Sequence, residues 1–495
     1  MHLERKKIEM NIDFKDWNKQ FIGGKWRIGK SQTQYTDRNP YDQSELATIQ
    51  LASKEEIEEA YSSAQKAQIE WQKMNPYARK AIIDKAAELA QKYRDYLVEV
   101  LVKETGSTHI KAEAEVEFFI GDIREYAQIP IRMKGEILPS VIPGKENRIY
   151  RLPVGVVGVI SPFNFPLYLS VRAIAPALAA GNGVVVKPDL QTYISGGLVI
   201  AKIFEEAGIP KGLLNVVVAD IAEIGDAFVE NPIPKVISFT GSTAVGQHIA
   251  ELCGRQLKRA ALELGGNNVM IVLEDADIPL AASAAVYGKF MHQGQICMSL
   301  NRIIVHRKVY DDFINAFAEK VEKLKVGNPA DKDVFIGPII NQKQVEKIQK
   351  LIDESIQQGA RVIKRGSVKG NLMEPVILAD VKNDMAIAQN EAFGPVAAIL
   401  PVESEEEAIR IANDSEYGLS GSVYTRSLEH GVDVALQIET GMIHVNDQSV
   451  NVEPTTPFGG EKSSGLGRYG GEWSLEEFTT VRWVSVQKRP REFPI

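Results

Sequence analysis

Apolar and polar positions change rhythm several times along the chain. Phe21-Ile22 and Trp26 flank Gly23-Gly24 and Lys25, a hairpin signal within a stretch of short strands and turns over 15–50. Ser53 followed by Glu56 forms a capping box. The helix it opens has Ile57, Ala60, Tyr61, Ala64 and Trp71 on its apolar face. The spacing then predicts a long helix over 78–104 and another over 111–127. Residues 137–138 and 149–150 flank Pro143-Gly144-Lys145-Glu146, which reads as an inserted, projecting hairpin. From Gly155 the pattern alternates between strand and helix. Strands are expected at 156–160, 183–187, 213–218, 235–240, 260–264 and 269–272, with helices over 167–180, 196–207 and 243–253. That alternation predicts an α/β fold with a doubly wound, mostly parallel sheet and ligands at the carboxyl ends of its strands. A second alternating region spans 281–446, with strands near 303–305, 396–402 and 420–424. The β-branched run over 481–486 closes the chain as one more strand.

Composition narrows the function classes. With 495 residues the chain can form two or three structural units, and a net charge of -8 without a long basic run argues against nucleic-acid or anionic-membrane partners. Only Cys253 and Cys297 are present, so no disulfide framework exists and a reducing, cytoplasmic setting is expected. No run of about 18 apolar residues could span a bilayer, and Met1 to Met10 lack a signal-peptide core.

Candidate chemistry centres on Gly294-Gln295-Ile296-Cys297-Met298, at the end of an apolar helical segment that begins near Pro279. A loop after a glycine break is expected to expose the Cys297 thiol. Asn164, in Ser161-Pro162-Phe163-Asn164-Phe165-Pro166, offers a neutral amide at a strand's carboxyl end, a position suited to an oxyanion hole. Gly241 to Gly246 form a strand-to-helix turn where backbone N–H groups can approach a phosphate, although a plain tight turn has the same signature. Lys187 stands at another strand end. Glu263 lies between two leucines, which raises a carboxyl toward the range of a general base. Glu391 and Phe393 sit ahead of a Gly-Pro turn.

In this order, Asn164, Lys187, Gly241 with Gly246, Glu263, Cys297, Glu391 to Pro395 and Pro457 to Gly460 resemble the NAD(P)-dependent aldehyde dehydrogenase superfamily. The likeness runs from Ile22-Gly23-Gly24-Lys25-Trp26 to the last strand. It implies a Rossmann-like cofactor domain over 1–130 and 151–262, and a catalytic α/β domain over 263–455. A small β oligomerisation arm would comprise 131–150 and 478–495. The resemblance also implies that Cys297 is the nucleophile, Glu263 the base that releases the acid, and Asn164 the oxyanion donor. Ile160, Ser161, Lys187, Gly241, Ser242, Gly246, Leu264, Glu391 and Phe393 would hold NAD, with NADP accepted as well. Leu190 replaces a glutamate that many NAD-preferring relatives carry three residues after the lysine.

The segments around Cys297, and Val450-Asn451-Val452-Glu453-Pro454, are most similar to the branch that oxidises benzaldehyde- or vanillin-like aryl aldehydes. Phe165, Ile296, Met298 and Phe458 would then line the substrate pocket, an aliphatic or semialdehyde substrate being the alternative. A homodimer or homotetramer is expected, and no metal site. Two other classes compete: a cysteine hydrolase or acyltransferase using His292 as base, and a non-catalytic structural member. The first leaves Lys187, the glycine turn and Glu391 without a purpose; the second predicts decay at positions that are intact.

Overall fold

The computed structural model describes residues 12–495. An eight-stranded sheet runs in the order Lys25–Arg27, Gln20–Ile22, Leu214–Val216, Gly183–Lys187, Val156–Ile160, Val236–Thr240, Arg259–Glu263 and Gly465–Leu466. Its five central strands are parallel. They are almost wholly apolar because helices cover both faces. The order reverses between Val156–Ile160 and Val236–Thr240, and a doubly wound sheet opens a crevice at such a point. At the far edge Gly465 pairs with Glu263, so the strand carrying that carboxylate is covered rather than open to water.

A second sheet has seven strands in the order Arg361–Lys364, Val376–Ala379, Val396–Val402, Leu300–His306, Asn268–Val272, Gly421–Tyr424 and His444–Val445. Only its first pairing is antiparallel. A third, three-stranded sheet joins Glu136–Leu138, Lys145–Pro153 and Thr479–Gln487. The long pairing in it runs unbroken from Thr479 opposite Pro153 to Gln487 opposite Lys145. It leaves Ile137, Val481 and Trp483 largely exposed.

The hairpin at Gly23-Gly24 forms with both glycines at positive φ, and Ser53 N–H donates to Glu56 as the capping box requires. The single helix expected over 78–104 is two helices, Pro76–Lys92 and Arg94–Thr105. Tyr93 leaves helical geometry at the junction, and its hydroxyl donates to Glu206 at 2.6 Å. The expected helix over 196–207 begins instead with a π turn, Ile194–Leu198, before Val199–Ala207. Glu104, buried beneath that turn, accepts from the N–H groups of Ile194 and Ser195. Among the described residues no helix is long and apolar enough to cross a membrane.

Candidate active site

At the switch point of the eight-stranded sheet lies a cavity of about 710 Å³. Its walls include Ile160, Ser161, Asn164, Lys187, Gly241, Ser242, Leu264, Cys297, Glu391 and Phe393. The helix Thr243–Arg255 starts at this wall, and the Ser242 side chain makes no capping bond there. First-turn N–H groups lack intrahelical acceptors and favour an anion. Two glycines allow the close packing: a Cβ on Gly246 would meet Leu264 Cδ2 at 2.3 Å, and one on Gly241 would meet the Phe239 ring at 2.4 Å. Gly246 itself lies under the wall rather than in it. The Ser161 hydroxyl is buried without a partner among the described residues, and burial lowers the Lys187 ammonium while Asp189 and Asp220 pull it back. Helix end, orphan hydroxyl, lysine and glycine approach together fit a dinucleotide.

The segment carrying Cys297 is shaped by backbone conformation. The helix Ile278–Phe290 stops at Met291, and His292, Gln293 and Gly294 then take positive φ in succession. Such a run is costly for the two side-chain-bearing residues. Gly294 has a second reason to lack a Cβ, which would lie 2.3 Å from the Gly394 carbonyl oxygen. The loop is not the exposed one expected from its sequence. His292 to Ile296 and Met298 to Leu300 are all buried, and only half-buried Cys297 reaches the cavity. The expectation failed because it weighed the glycine break alone. The loop is instead enclosed by residues distant in sequence, with Asn268 Nδ2 donating to the Cys297 and Ser299 carbonyls at 2.7 and 2.8 Å. A Cβ on Gly266 would strike the Cys297 carbonyl at 2.3 Å. Asn164 Nδ2 donates one hydrogen to the Gln295 carbonyl at 3.0 Å. Its second hydrogen is left for the cavity that Asn164 and Cys297 both line.

Three ionisable groups, Glu263, Arg172 and Glu391, act on the thiol. Glu263 is 2% exposed, and burial pushes its carboxyl up to about 8 against the pull of Arg172 and Arg468. The Arg172 guanidinium stands 3.9 Å from Glu263 Oε2. It is stacked 4.2 Å from the Phe458 ring centroid and 4.8 Å from that of Tyr469. Burial and then the Glu263 charge push the Cys297 thiol up to about 12, with Arg172 opposing. Glu391 accepts from the Gly266 N–H at 2.9 Å, and burial raises it to about 7. A thiol and an amide donor adjoin the cavity, and a carboxyl that stays largely protonated at neutrality lies behind them. That set suits covalent catalysis on a carbonyl with hydride transfer.

The aldehyde dehydrogenase family model matches residues 26–484, nearly the whole chain. The chain belongs to the aldehyde dehydrogenase family. It is 53% identical to a benzaldehyde dehydrogenase of Bacillus subtilis, over 98% of this chain and 100% of that protein. A vanillin dehydrogenase of Corynebacterium glutamicum is 47% identical, over 96% of this chain and 98% of the relative. The crystal structure of an NAD-dependent benzaldehyde dehydrogenase from Corynebacterium glutamicum superposes with a TM-score of 0.88 at 44% identity, covering 96% of this chain and 99% of that one.

Within this aldehyde dehydrogenase, not every residue singled out in the sequence borders the cavity. Glu263 lies behind it, toward Arg172 and Gly459. Phe165, Ile296, Met298 and Phe458 are buried in the large core cluster, against which Cys297, Met442, Val450 and Val452 also pack. Cys297 therefore stands between the cavity and this apolar cluster. His292 is no base for Cys297. Its ring is buried against Phe165 at 5.6 Å, absent from the cavity wall, and held neutral by burial and the Lys111 charge. Leu190 packs on the core and does not line the cavity; Asp189 does. An acidic side chain thus stands beside Lys187 despite the missing glutamate. Sequence reasoning passed over Asp189, Gln344, Lys347 and Phe163, all in the cavity wall. Phe163 could have been found from the same loop as Asn164, since its ring meets Phe393 edge-on at 5.8 Å. Nothing in the sequence around Gln344 and Lys347 announces a site, because both sit in an ordinary amphipathic helix, Gln342–Gln357.

Proposed function

We propose that this aldehyde dehydrogenase oxidises aromatic aldehydes of the benzaldehyde and vanillin kind to their carboxylates, with NAD as the hydride acceptor. The observation that carries the reading is Cys297, half-buried between the cavity at the switch point of the sheet and a cluster rich in aromatic and aliphatic side chains. The likeness to the benzaldehyde dehydrogenase of Bacillus subtilis and to the vanillin and NAD-dependent benzaldehyde dehydrogenases of Corynebacterium glutamicum supports it.

Lys187, Ser242 and Glu391 would hold the cofactor, together with Ile160, Ser161, Leu264, Phe393 and Gly241, while Gly246 lets the helix Thr243–Arg255 pack beneath Leu264. Bound there, the nicotinamide supplies a hydride acceptor. Cys297 Sγ, its proton given up to solvent through the cavity, adds as the thiolate to the aldehyde carbon, and the new oxyanion accepts from the free N–H of Asn164 and the backbone N–H of Cys297. Loss of hydride from that carbon leaves a thioester on Cys297. Deprotonated Glu263 then removes a proton from water, whose oxygen adds to the thioester carbon. The carboxylate leaves and the Cys297 sulfur is freed. A flat ring gains from burial among Phe165, Ile296, Met298 and Phe458, where edge and face contacts add to apolar area.

The chain acts in the cytoplasm as a homo-oligomer. Exposed Trp483, Val481 and Ile137 on the three-stranded sheet support the second point, since uncovered apolar strand faces invite a partner.

The test is kcat/KM for benzaldehyde, vanillin, hexanal, acetaldehyde and betaine aldehyde, followed by reduced-nicotinamide absorbance. The aromatic pair should lead. An aliphatic or cationic aldehyde ahead of both by about tenfold, or about 1.4 kcal/mol in transition-state binding, would overturn the substrate assignment.

A further inference from the structure

The helix His109–Tyr126 carries Lys111 and Glu115 one turn apart, and both are completely buried. They form an ion pair. Neither borders the cavity, and no step above uses either of them. A buried ion pair is weak evidence of stability, because losing hydration offsets most of the attraction. What distinguishes this pair is what else it holds.

Lys111 Nζ donates to the backbone carbonyl of Asn164 at 2.7 Å and lies 4.1 Å from the centroid of the Phe165 ring. Glu115 Oε1 accepts from the N–H groups of Leu167 at 2.9 Å and Tyr168 at 3.2 Å. Those N–H groups belong to the first turn of the helix Pro166–Ala180, where no intrahelical acceptor exists and a carboxylate is favoured. One lysine–glutamate pair therefore grips the chain on both sides of Phe165. The Asn164 side chain is tethered separately, through the Gln295 carbonyl. With the backbone held by Lys111 and one amide hydrogen held by Gln295, the direction of the remaining hydrogen is set.

We infer that Lys111 and Glu115 are positioning residues, which aim the free Asn164 N–H at the oxyanion formed on the Cys297 adduct. The inference rests on the reading of Asn164 as the oxyanion donor. An oxyanion donor must be in place before charge develops, so a small loss of aim should cost rate without costing cofactor affinity.

The experiment is a double-mutant cycle read by the pre-steady-state burst of reduced nicotinamide with benzaldehyde. The variants are Asn164→Ala, Lys111→Met/Glu115→Gln, and the three changes combined. The methionine–glutamine pair leaves no unpaired charge and keeps a carbonyl acceptor for Leu167 and Tyr168. Asn164→Ala should slow the burst on the order of 100-fold. The paired change should slow it about tenfold, with NAD dissociation constants within about twofold of the parent. In the Asn164→Ala background the paired change should alter the burst by less than about twofold. The same factor in both backgrounds, or no slowing in the parent, overturns positioning. A normal burst in Asn164→Ala removes the oxyanion reading and the positioning inference together; slow Asn164→Ala with an independent Lys111/Glu115 effect removes positioning alone. If the paired variant does not fold, Glu115→Gln enters the same cycle with the same expected outcomes.

Discussion

Replacing Arg172 by Met should move the pH dependence of turnover to the alkaline side. Arg172 Nη2 lies 3.9 Å from Glu263 Oε2, and both side chains are 2% exposed. At an effective dielectric constant of about 20, unit charges at that distance attract by about 4 kcal/mol, equivalent to about three pKa units at most. Arg468 also faces Glu263 and relaxation absorbs part of the loss, so a rise of about one to two units is expected. Glu263 already sits at about 8. A general base acts only when deprotonated, so the rate climbs as pH rises through its pKa. Raising that pKa shifts the climb upward. Near pH 8 the parent holds about half of Glu263 ionised, and the variant would hold about a tenth or less.

Other titratable groups around Arg172 are Asp122 and Tyr126 on the helix His109–Tyr126, Tyr168 on its own helix, Tyr469 and Cys297. Cys297 matters most, because losing Arg172 also pushes the thiol up. The assay therefore separates two phases: the burst reports acylation by Cys297, and the steady state reports release from the thioester. In Arg172→Met the steady-state limb should move up by at least one unit, and high pH should restore most of the rate. Arg172→Lys, which keeps the charge, should stay within about half a unit of the parent. Methionine fills much of the volume between Phe458 and Tyr469. The guanidinium makes no hydrogen bond through Nη1 or Nη2 among the described residues, so folding should survive. A steady-state limb unmoved within about 0.3 units would falsify the electrostatic coupling of Arg172 to Glu263.

Three further outcomes are expected. Cys297→Ala should lower turnover by about a thousandfold or more while NAD binding, followed by tryptophan fluorescence, stays within about twofold; Cys253→Ser, buried in the helix Thr243–Arg255, should keep full activity. Glu263→Gln should leave a burst of one nicotinamide per active site followed by slow turnover, and equal loss in both phases would show that Glu263 is not mainly the deacylating base. Asp189→Asn should raise kcat/KM with NADP relative to NAD by about tenfold, whereas an unchanged ratio would separate cofactor choice from this carboxylate.

Much of this protein was legible without coordinates. Short, nearly continuous apolar runs alternating with helical stretches located the strands Val156–Ile160, Gly183–Lys187 and Val396–Val402, because buried parallel strands are nearly all apolar and bounded by turns. Asn164, Glu263 and Cys297 were singled out by their joint order along the chain, since each short motif is ambiguous by itself. Tertiary structure alone decided the burial of the Cys297 loop, where Asn268 and Gly266 approach from another strand end. It also set the 3.9 Å approach of Arg172 to Glu263 and the grip of Lys111 on Asn164, across 53 positions of sequence. Local patterning reports whether a side chain faces the core. Which charge it meets there depends on how separate elements pack, and in a low-dielectric interior that meeting sets the pKa.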